Sequence, residues 1–452
     1  MIKLENIQRI YFIGIGGIGM SALARYFSFH GKKVRGYDRT ETPLTKALVK
    51  EGIEVSYEDD VSAAPKDADL VVFTPAIPAN HSQLNYYRNN NYTVVKRSDV
   101  LGAITEKSFN ICIAGTHGKT TISTMVAHIL RHTGYGCNAF LGGISANYNS
   151  NFWSSENDTC VIEADEYDRS FLKLNPDIAV ITAMDADHLD IYGTEKNMQD
   201  TFIEFSSKIK DKGTLFLKEG IAREKEFKVP VLKRYSMKDA GADIYPHNIR
   251  MMNGYYLFDV KINDEIVEEV ALNMGGLHNV ENASVSIAIA KQLQINEESI
   301  KEAVEEFKGV KRRFEYIVKK KKLVYIDDYA HHPEELAALI RSAKSLFEGL
   351  KCTVIFQPHL FTRTRDLAVG FANSLDMADE IILLPIYPAR ELPIEGITSE
   401  MIKERMNNKN VRIIDKKDVL KNIRDNQLLI TAGAGDIDTL VEPIRQLLTT
   451  TN

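Results

Sequence analysis

Cysteine is scarce in this chain: 452 residues contain four, Cys112, Cys137, Cys160 and Cys352. They are scattered, mostly within apolar runs, and show no metal-type spacing. That excludes a disulfide scaffold and a thiolate metal site, and predicts reduced core cysteines. No apolar run is long enough to cross a bilayer, and the N-terminus leads almost directly into a strand and helix without a signal-peptide pattern. The expectation is a soluble cytoplasmic enzyme with no membrane partner. An excess of basic charge is also missing, since 56 Lys and Arg face 62 Asp and Glu for a net charge of −6. General nucleic-acid binding is therefore not expected, and anionic substrates must be met by local sites. What remains is an ordinary globular composition, 44% apolar and 26% charged, with length for two or three domains.

The strongest local signal is Ile111-Cys112-Ile113-Ala114-Gly115-Thr116-His117-Gly118-Lys119-Thr120-Thr121. An apolar run reads as a buried strand, a glycine-flanked turn follows, and Thr120 to His132 reads as a helix. A strand–loop–helix of this kind aims backbone N–H groups and a helix N-terminus at one point, which suits phosphate. Lys119 can reach the terminal phosphates, and the Thr120 hydroxyl can ligate magnesium. The usual phosphate-loop pattern wants glycine at position 113, which is Ile, so G-T-H-G-K-T is a shortened variant. The reading is a nucleoside triphosphate site, with ATP and Mg2+ as the cofactors expected.

A second glycine loop lies near the N-terminus. A strand over Ile10 to Ile15 leads into Gly14-Ile15-Gly16-Gly17-Ile18-Gly19-Met20-Ser21 and a helix to about His30. The next strand, Val34 to Tyr37, ends at Asp38. Glycines at 14, 16 and 19 with an acidic residue further on fit a dinucleotide fingerprint, but the geometry serves any nucleotide diphosphate. Asp38 would bond a ribose or base edge, or close the strand as a turn residue. Strand Leu70 to Phe73 ends in a rigid Thr74-Pro75-Ala76-Ile77-Pro78 loop. Tyr86 to Tyr92, polar and asparagine-rich, reads as surface.

Around Glu106 to Asn110 the pattern resets. In the second segment, strand Thr159 to Ile162 ends at Glu163-Ala164-Asp165-Glu166, where carboxylates can hold magnesium. Strand Ile178 to Ala183 leads to Asp185-Ala186-Asp187-His188-Leu189-Asp190, a candidate second cation or phosphate site. Tyr255 to Asn273 reads as a hairpin turning at Asn263-Asp264. Asn279 and Asn282 share one face of the following helix's first turn, as caps or as readers of a base edge. Lys308 to Glu315 reads as a hinge with Arg312 and Arg313 free for phosphate, and Lys319 to Lys322 as a solvated turn. A third α/β unit follows. Its strands end at Asp327 to Glu335, Gln357 to Asp366, Ile386 to Glu391 and Ala432 to Asp436, all facing one crevice if the sheet is parallel. Pro333 reads as the first residue of a helix to about Phe347. Arg363 and Arg365 are candidate anion clamps.

In order, G-I-G-G-I-G-M-S, G-T-H-G-K-T-T, E-A-D-E, D-x-D-H-x-D, H-N-x-x-N, D-D-Y-A-H-H-P and Q-P-H-x-x-T-R-T resemble the Mur ligase family over nearly the whole chain. The resemblance implies three α/β domains: a Rossmann-like domain over 1–107, a central P-loop ATPase-type domain with a parallel or mixed sheet over 108–314, and a Rossmann-like C-terminal domain over 315–452. It implies ATP-dependent joining of L-alanine to the lactyl carboxylate of UDP-N-acetylmuramate through an acyl phosphate. By similarity, Gly14, Gly16, Gly17, Gly19, Met20, Ser21, Asp38 and Thr74 meet the UDP-sugar. Gly115, Thr116, His117, Gly118, Lys119, Thr120 and Thr121 hold ATP, with Asn279 and Asn282 near the adenine and Arg313 on phosphate. Thr120 and Glu163 ligate one magnesium and His188 a second. Tyr329, His331, His359, Arg363 and Arg365 border the amino acid and the phosphate being transferred, with Lys119, His188, His331 and Arg363 as the catalytic set. A monomer or weak homodimer is expected.

Two departures stand out. Several members carry a carbamylated lysine after the D-H-x-D histidine, whereas Asn197 to Ser207 has none and Phe202 lies near that place; the alanine-adding branch is expected to lack it. Leu360 replaces a usual arginine. The rival readings are a ligase that recycles wall tripeptide, an NAD-dependent dehydrogenase resting on the first glycine loop alone, and a non-catalytic ATP-binding regulator.

Overall fold

The computed structural model describes residues 4–450 apart from 187–188, 253, 390 and 424–426. The chain packs as two compact units: Met1–His247 with Val260–Val267 and Glu281–Val304, and Asn248–Asp259 with Glu268–Val280 and Glu305–Asn452. No helix among the described residues is long and apolar enough to cross a membrane.

The first unit begins with a five-stranded sheet in the order Glu54–Ser56, Lys33–Tyr37, Arg9–Ile13, Leu70–Phe73, Val94–Lys96, its strands paired in parallel. Ile10 to Ile13 and Leu70 to Val72 are buried, as continuous apolar runs in a parallel sheet should be. Met20, Leu23, Ala24 and Phe27 form the buried stripe of helix Ile18–Phe29. The chain leaves Arg9–Ile13 toward one neighbour and later returns on its other side. The carboxyl end of that strand is therefore a switch point, and the first glycine loop occupies it.

Strand Phe109–Ala114 repeats the arrangement. It pairs in parallel with Thr159–Glu163 on one side and Ile178–Ile181 on the other. The sheet continues through Thr214–Lys218 and Val231–Tyr235 in one direction, and through Asn138–Ser145 with antiparallel Ser150–Trp153 in the other. The predicted hairpin is present as Tyr255–Ile262 and Glu265–Leu272. All four cysteines are buried free thiols.

The second unit carries a six-stranded sheet ordered Glu315–Lys320, Leu323–Asp328, Leu428–Ala432, Cys352–Phe356, Glu380–Leu383, Val411–Ile413. Five strands pair in parallel and Glu315–Lys320 joins one edge antiparallel. Helix Pro333–Leu346 starts at Pro333 as predicted.

Several expectations are corrected. Tyr86 to Tyr92 is not simply surface: helix Ser82–Asn89 buries Tyr87, whose hydroxyl donates to Pro65 O at 3.0 Å. The first strand ends at Ile13, because Gly14 turns the chain at φ +88°. The strand read to Ala183 stops at Ile181, and the helix read from Thr120 starts at Lys119. Of the lysine run, Lys319 and Lys320 belong to the edge strand, and Lys319 Nζ donates to Gly254 O at 2.9 Å.

Candidate active site

At the end of strand Phe109–Ala114, Gly115 leaves β geometry at φ +123°, and a Cβ there would lie 2.1 Å from Thr182 Oγ1. Only glycine permits that approach. Thr116 N–H donates to Ala183 O at 3.1 Å, and the Thr182 hydroxyl donates to His117 O. Gly118, at φ +79°, then caps helix Lys119–His132. The first-turn N–H groups of Lys119, Thr120 and Thr121 have no intrahelical acceptor and converge at the loop. His117 Nε2 stands 3.3 Å from Asp185 Oδ2, both exposed.

Two strand-end carboxylates meet this loop. Thr120 Oγ1 donates to Glu163 Oε1 at 3.1 Å, and Gly142 N–H donates to Glu163 Oε2 at 3.0 Å. Lys119 Nζ donates to Gly115 O at 2.6 Å and to Glu166 Oε1 at 2.7 Å. Burial raises the Glu166 carboxyl above its ordinary pKa, and Lys119 opposes the rise. Glu166 Oε2 is buried without a hydrogen-bond partner. A hydroxyl and a carboxylate side by side next to a phosphate cradle fit a hard divalent cation, which takes its other ligands from phosphate and water. His188, the expected second ligand, lies outside the described residues. Asn282 Oδ1 would be 3.2 Å from a Cβ on Gly118, which puts it beside the loop. Asn279 instead turns back, its Nδ2 donating to Gly275 O at 2.6 Å.

In the first glycine loop, Gly16 N–H donates to Asp38 Oδ2 at 2.7 Å, so Asp38 holds the loop itself. Ser21 is buried and structural: its hydroxyl donates to Ile18 O at 2.9 Å and accepts from Asn151 Nδ2 at 3.0 Å. Gly17, Gly19, Met20 and Thr74 instead line a cleft of about 450 Å3 that extends to Lys119 and Glu163. Sequence reasoning missed the basic pair at this cleft. Lys96 Nζ donates to Asp168 Oδ2 at 3.2 Å, and Arg97 Nη2 lies 3.8 Å from Asp165 Oδ2. Arg97 also abuts Gly19, where a Cβ would meet its Nη1 at 2.8 Å. The available signal was two consecutive cations at the carboxyl end of strand Val94–Lys96, Lys96 closing it and Arg97 following.

In the second unit, the predicted residues cluster only in part. His331 Nδ1 is 3.0 Å from Tyr329 O, and the His331 and His359 rings are 6.3 Å apart. His359 stacks on Tyr387 at 5.8 Å. Burial, followed by the charges of Arg363 and His331, lowers the His359 pKa. His359 Nδ1, Arg363 Nη1 and Gln357 Oε1, just beyond the carboxyl end of strand Cys352–Phe356, are all buried without hydrogen-bond partners, and a polar ligand there would satisfy them. Leu360, at φ +69°, turns the chain into helix Phe361–Leu375, whose first turn carries Arg363. Arg365 does not join the cluster and pairs with Asp366 at 2.7 Å on the exposed surface. Arg312 is not free either: it lies over Tyr329 at 5.0 Å, donates to Gly433 O and faces Asp327 at 3.5 Å. Arg313 is exposed.

The model of the Mur ligase family catalytic domain matches residues 9–108, that of the Mur ligase middle domain 113–290, and that of the Mur ligase glutamate ligase domain 312–435. A UDP-N-acetylmuramate–L-alanine ligase of Flavobacterium johnsoniae is 48% identical over 99% of both chains. The crystal structure of a UDP-N-acetylmuramate-alanine ligase from Thermotoga maritima superimposes with TM-score 0.84 at 28% identity, covering 98% of this chain and 100% of its own. A murein peptide ligase from Psychrobacter arcticus, 23% identical with TM-score 0.67 over 98% and 99%, shares the fold. Three consecutive family matches and near-complete coverage by a relative at 48% identity establish that the chain belongs to the Mur ligase family.

Proposed function

We propose that this protein joins L-alanine to the lactyl carboxylate of UDP-N-acetylmuramate, with ATP converted to ADP and phosphate, in peptidoglycan synthesis in the cytoplasm. The observation that carries the proposal is the single cleft running from Gly17, Gly19 and Met20 to Lys119 and Glu163. It joins a diphosphate-type glycine loop to a triphosphate loop, as transfer from ATP to a nucleotide-linked carboxylate requires. The full-length relatives at 44–48% identity, all carrying the name UDP-N-acetylmuramate–L-alanine ligase, support the same reading.

The chemistry follows from the residues. The lactyl carboxylate attacks the γ-phosphorus and forms an acyl phosphate as ADP leaves. Lys119 offsets charge on the β- and γ-phosphates, and the loop N–H groups hold them in line. Magnesium, held by Thr120 and Glu163 with His188 proposed at a second ion, would neutralise further phosphate charge. The free amine of L-alanine then attacks the acyl carbon. The tetrahedral adduct collapses, expelling inorganic phosphate and leaving the amide. His331 and Arg363 are assigned to the amino acid and the leaving phosphate. Orienting three substrates can supply roughly 7–11 kcal/mol of barrier reduction.

The test is phosphate release from Mg-ATP with UDP-N-acetylmuramate, supplied with either L-alanine or L-Ala-γ-D-Glu-diaminopimelate. Release that requires both the UDP-sugar and L-alanine, with the amide found by mass, is expected. Turnover with the tripeptide alone would replace this reading with a recycling ligase. Lys119→Ala should abolish ligation while UDP-sugar binding persists.

A further inference from the structure

Glu166 has no step in the reaction proposed above, yet its surroundings are not those of a packing residue. It is 1% exposed, and its second carboxylate oxygen has no hydrogen-bond partner. Leaving a buried carboxylate oxygen in that state costs free energy and calls for an explanation. Its ion-pair partner among the described residues is Lys119, whose Nζ lies 2.7 Å from Oε1. The residue is also fixed from behind, since the Tyr192 hydroxyl donates to the Glu166 carbonyl at 2.5 Å and Tyr192 is itself buried.

An ammonium group has three donors. On Lys119, one goes to Gly115 O at 2.6 Å and a second to Glu166 Oε1. Those two acceptors fix the direction of the third donor, which is the one left for a phosphate oxygen. A lysine without the carboxylate would swing on its four-carbon stem, and ordering it would then cost entropy each time nucleotide bound. We propose that Glu166 is a positioning residue that acts through Lys119, aiming the lysine's remaining donor at the terminal phosphates of the nucleotide. This rests on the assignment of Gly115 to Thr121 as the ATP loop, and it adds a residue whose effect should depend on how many phosphates the ligand carries.

The experiment measures dissociation constants for β,γ-imido-ATP and for AMP, with magnesium, in the full chain and in the Glu166→Gln, Lys119→Met and doubly substituted proteins. Glu166→Gln keeps the shape and removes the charge. It should weaken the imido analogue by roughly tenfold or more, the loss expected for one charge-assisted hydrogen bond, and leave AMP unchanged. In the Lys119→Met background the same substitution should cause no further loss, because the lysine it acts through is gone. Unaltered binding of the analogue by Glu166→Gln would overturn the proposal. So would an equal loss for AMP, or a loss that persists without Lys119, since either describes a residue that only supports the fold. Should Glu166→Gln fail to fold, Glu166→Asp, which retains the charge but withdraws it, should show a smaller loss confined to the imido analogue, and no loss there would overturn the proposal equally. Failure of the unsubstituted protein to bind the analogue at all would instead remove the ATP-loop assignment.

Discussion

Gly142 and Glu163 are in contact across neighbouring strands: the Gly142 N–H donates to Glu163 Oε2 at 3.0 Å, and a Cβ on Gly142 would lie 2.2 Å from Oε1. The carboxylate that meets Thr120 thus depends on a missing side chain in strand Asn138–Ser145. Gly142→Ala should displace Glu163 and lower ligation by roughly 10- to 100-fold, the usual effect of disturbing a group that orients a metal ligand. The loss should be reduced at saturating magnesium, while UDP-sugar affinity is preserved. Wild-type turnover in this variant would detach Glu163 from the chemistry.

Arg97 places a guanidinium between Gly19 and Asp165 in the cleft. A cation there is available to a diphosphate or a carboxylate. Arg97→Ala should weaken UDP-N-acetylmuramate by roughly 10- to 100-fold, one charge-assisted contact, with little change for ATP. Calorimetric titration of each ligand separately checks this, and an unchanged UDP-sugar affinity would place the substrate elsewhere.

How much of this was legible in the sequence depends on whether a residue's role is local. Gly115 to Thr121 and Gly14 to Gly19 were readable because in each a glycine turn and a helix start lie within a few residues of one another, with Lys119 added in the first. Pro333 announced its helix for the same reason. Gly142 and Arg97 were not readable, because each acquires its role from a strand or loop far away in sequence. Tyr86 to Tyr92 misled because asparagines dominate its composition, whereas Tyr87 is buried from a short helix and Tyr86 and Tyr92 pack against its ring. Arg365 looked equivalent to Arg363, but two residues along a helix is more than half a turn, and only Arg363 faces inward.

Arg363 carries a buried nitrogen with no hydrogen-bond partner beside His359, beyond the carboxyl end of strand Cys352–Phe356. A ligand carrying negative charge would satisfy it. Arg363→Ala should lower kcat by roughly 100- to 1,000-fold, as for loss of a donor aimed at developing charge, and change the KM for ATP by much less. Steady-state kinetics with each substrate varied in turn separates the two effects. An unaltered kcat would remove Arg363 from the site.

Asp327 should give the second unit a pH-dependent stability of a particular sign. It is 1% exposed, accepts from Thr431 Oγ1 at 2.6 Å and faces Arg312 Nε at 3.5 Å. Burial dominates and lifts its pKa to about 7, while the Thr431 hydrogen bond and Arg312 pull the other way. A carboxyl with a higher pKa folded than unfolded takes up a proton on folding. Its stabilising contribution is complete below the ordinary value of 3.8 and is lost as pH rises through about 7. The melting temperature should therefore fall from about pH 5 to about pH 8 more steeply in the unsubstituted protein than in Asp327→Asn, which cannot titrate there. If the ion pair with Arg312 outweighed burial, the folded carboxyl would instead be the stronger acid. Stability would then rise with pH through the acid range and stay level above it. Melting curves of the two proteins across that interval decide between the two signs, and parallel curves would exclude Asp327 as the titrating group.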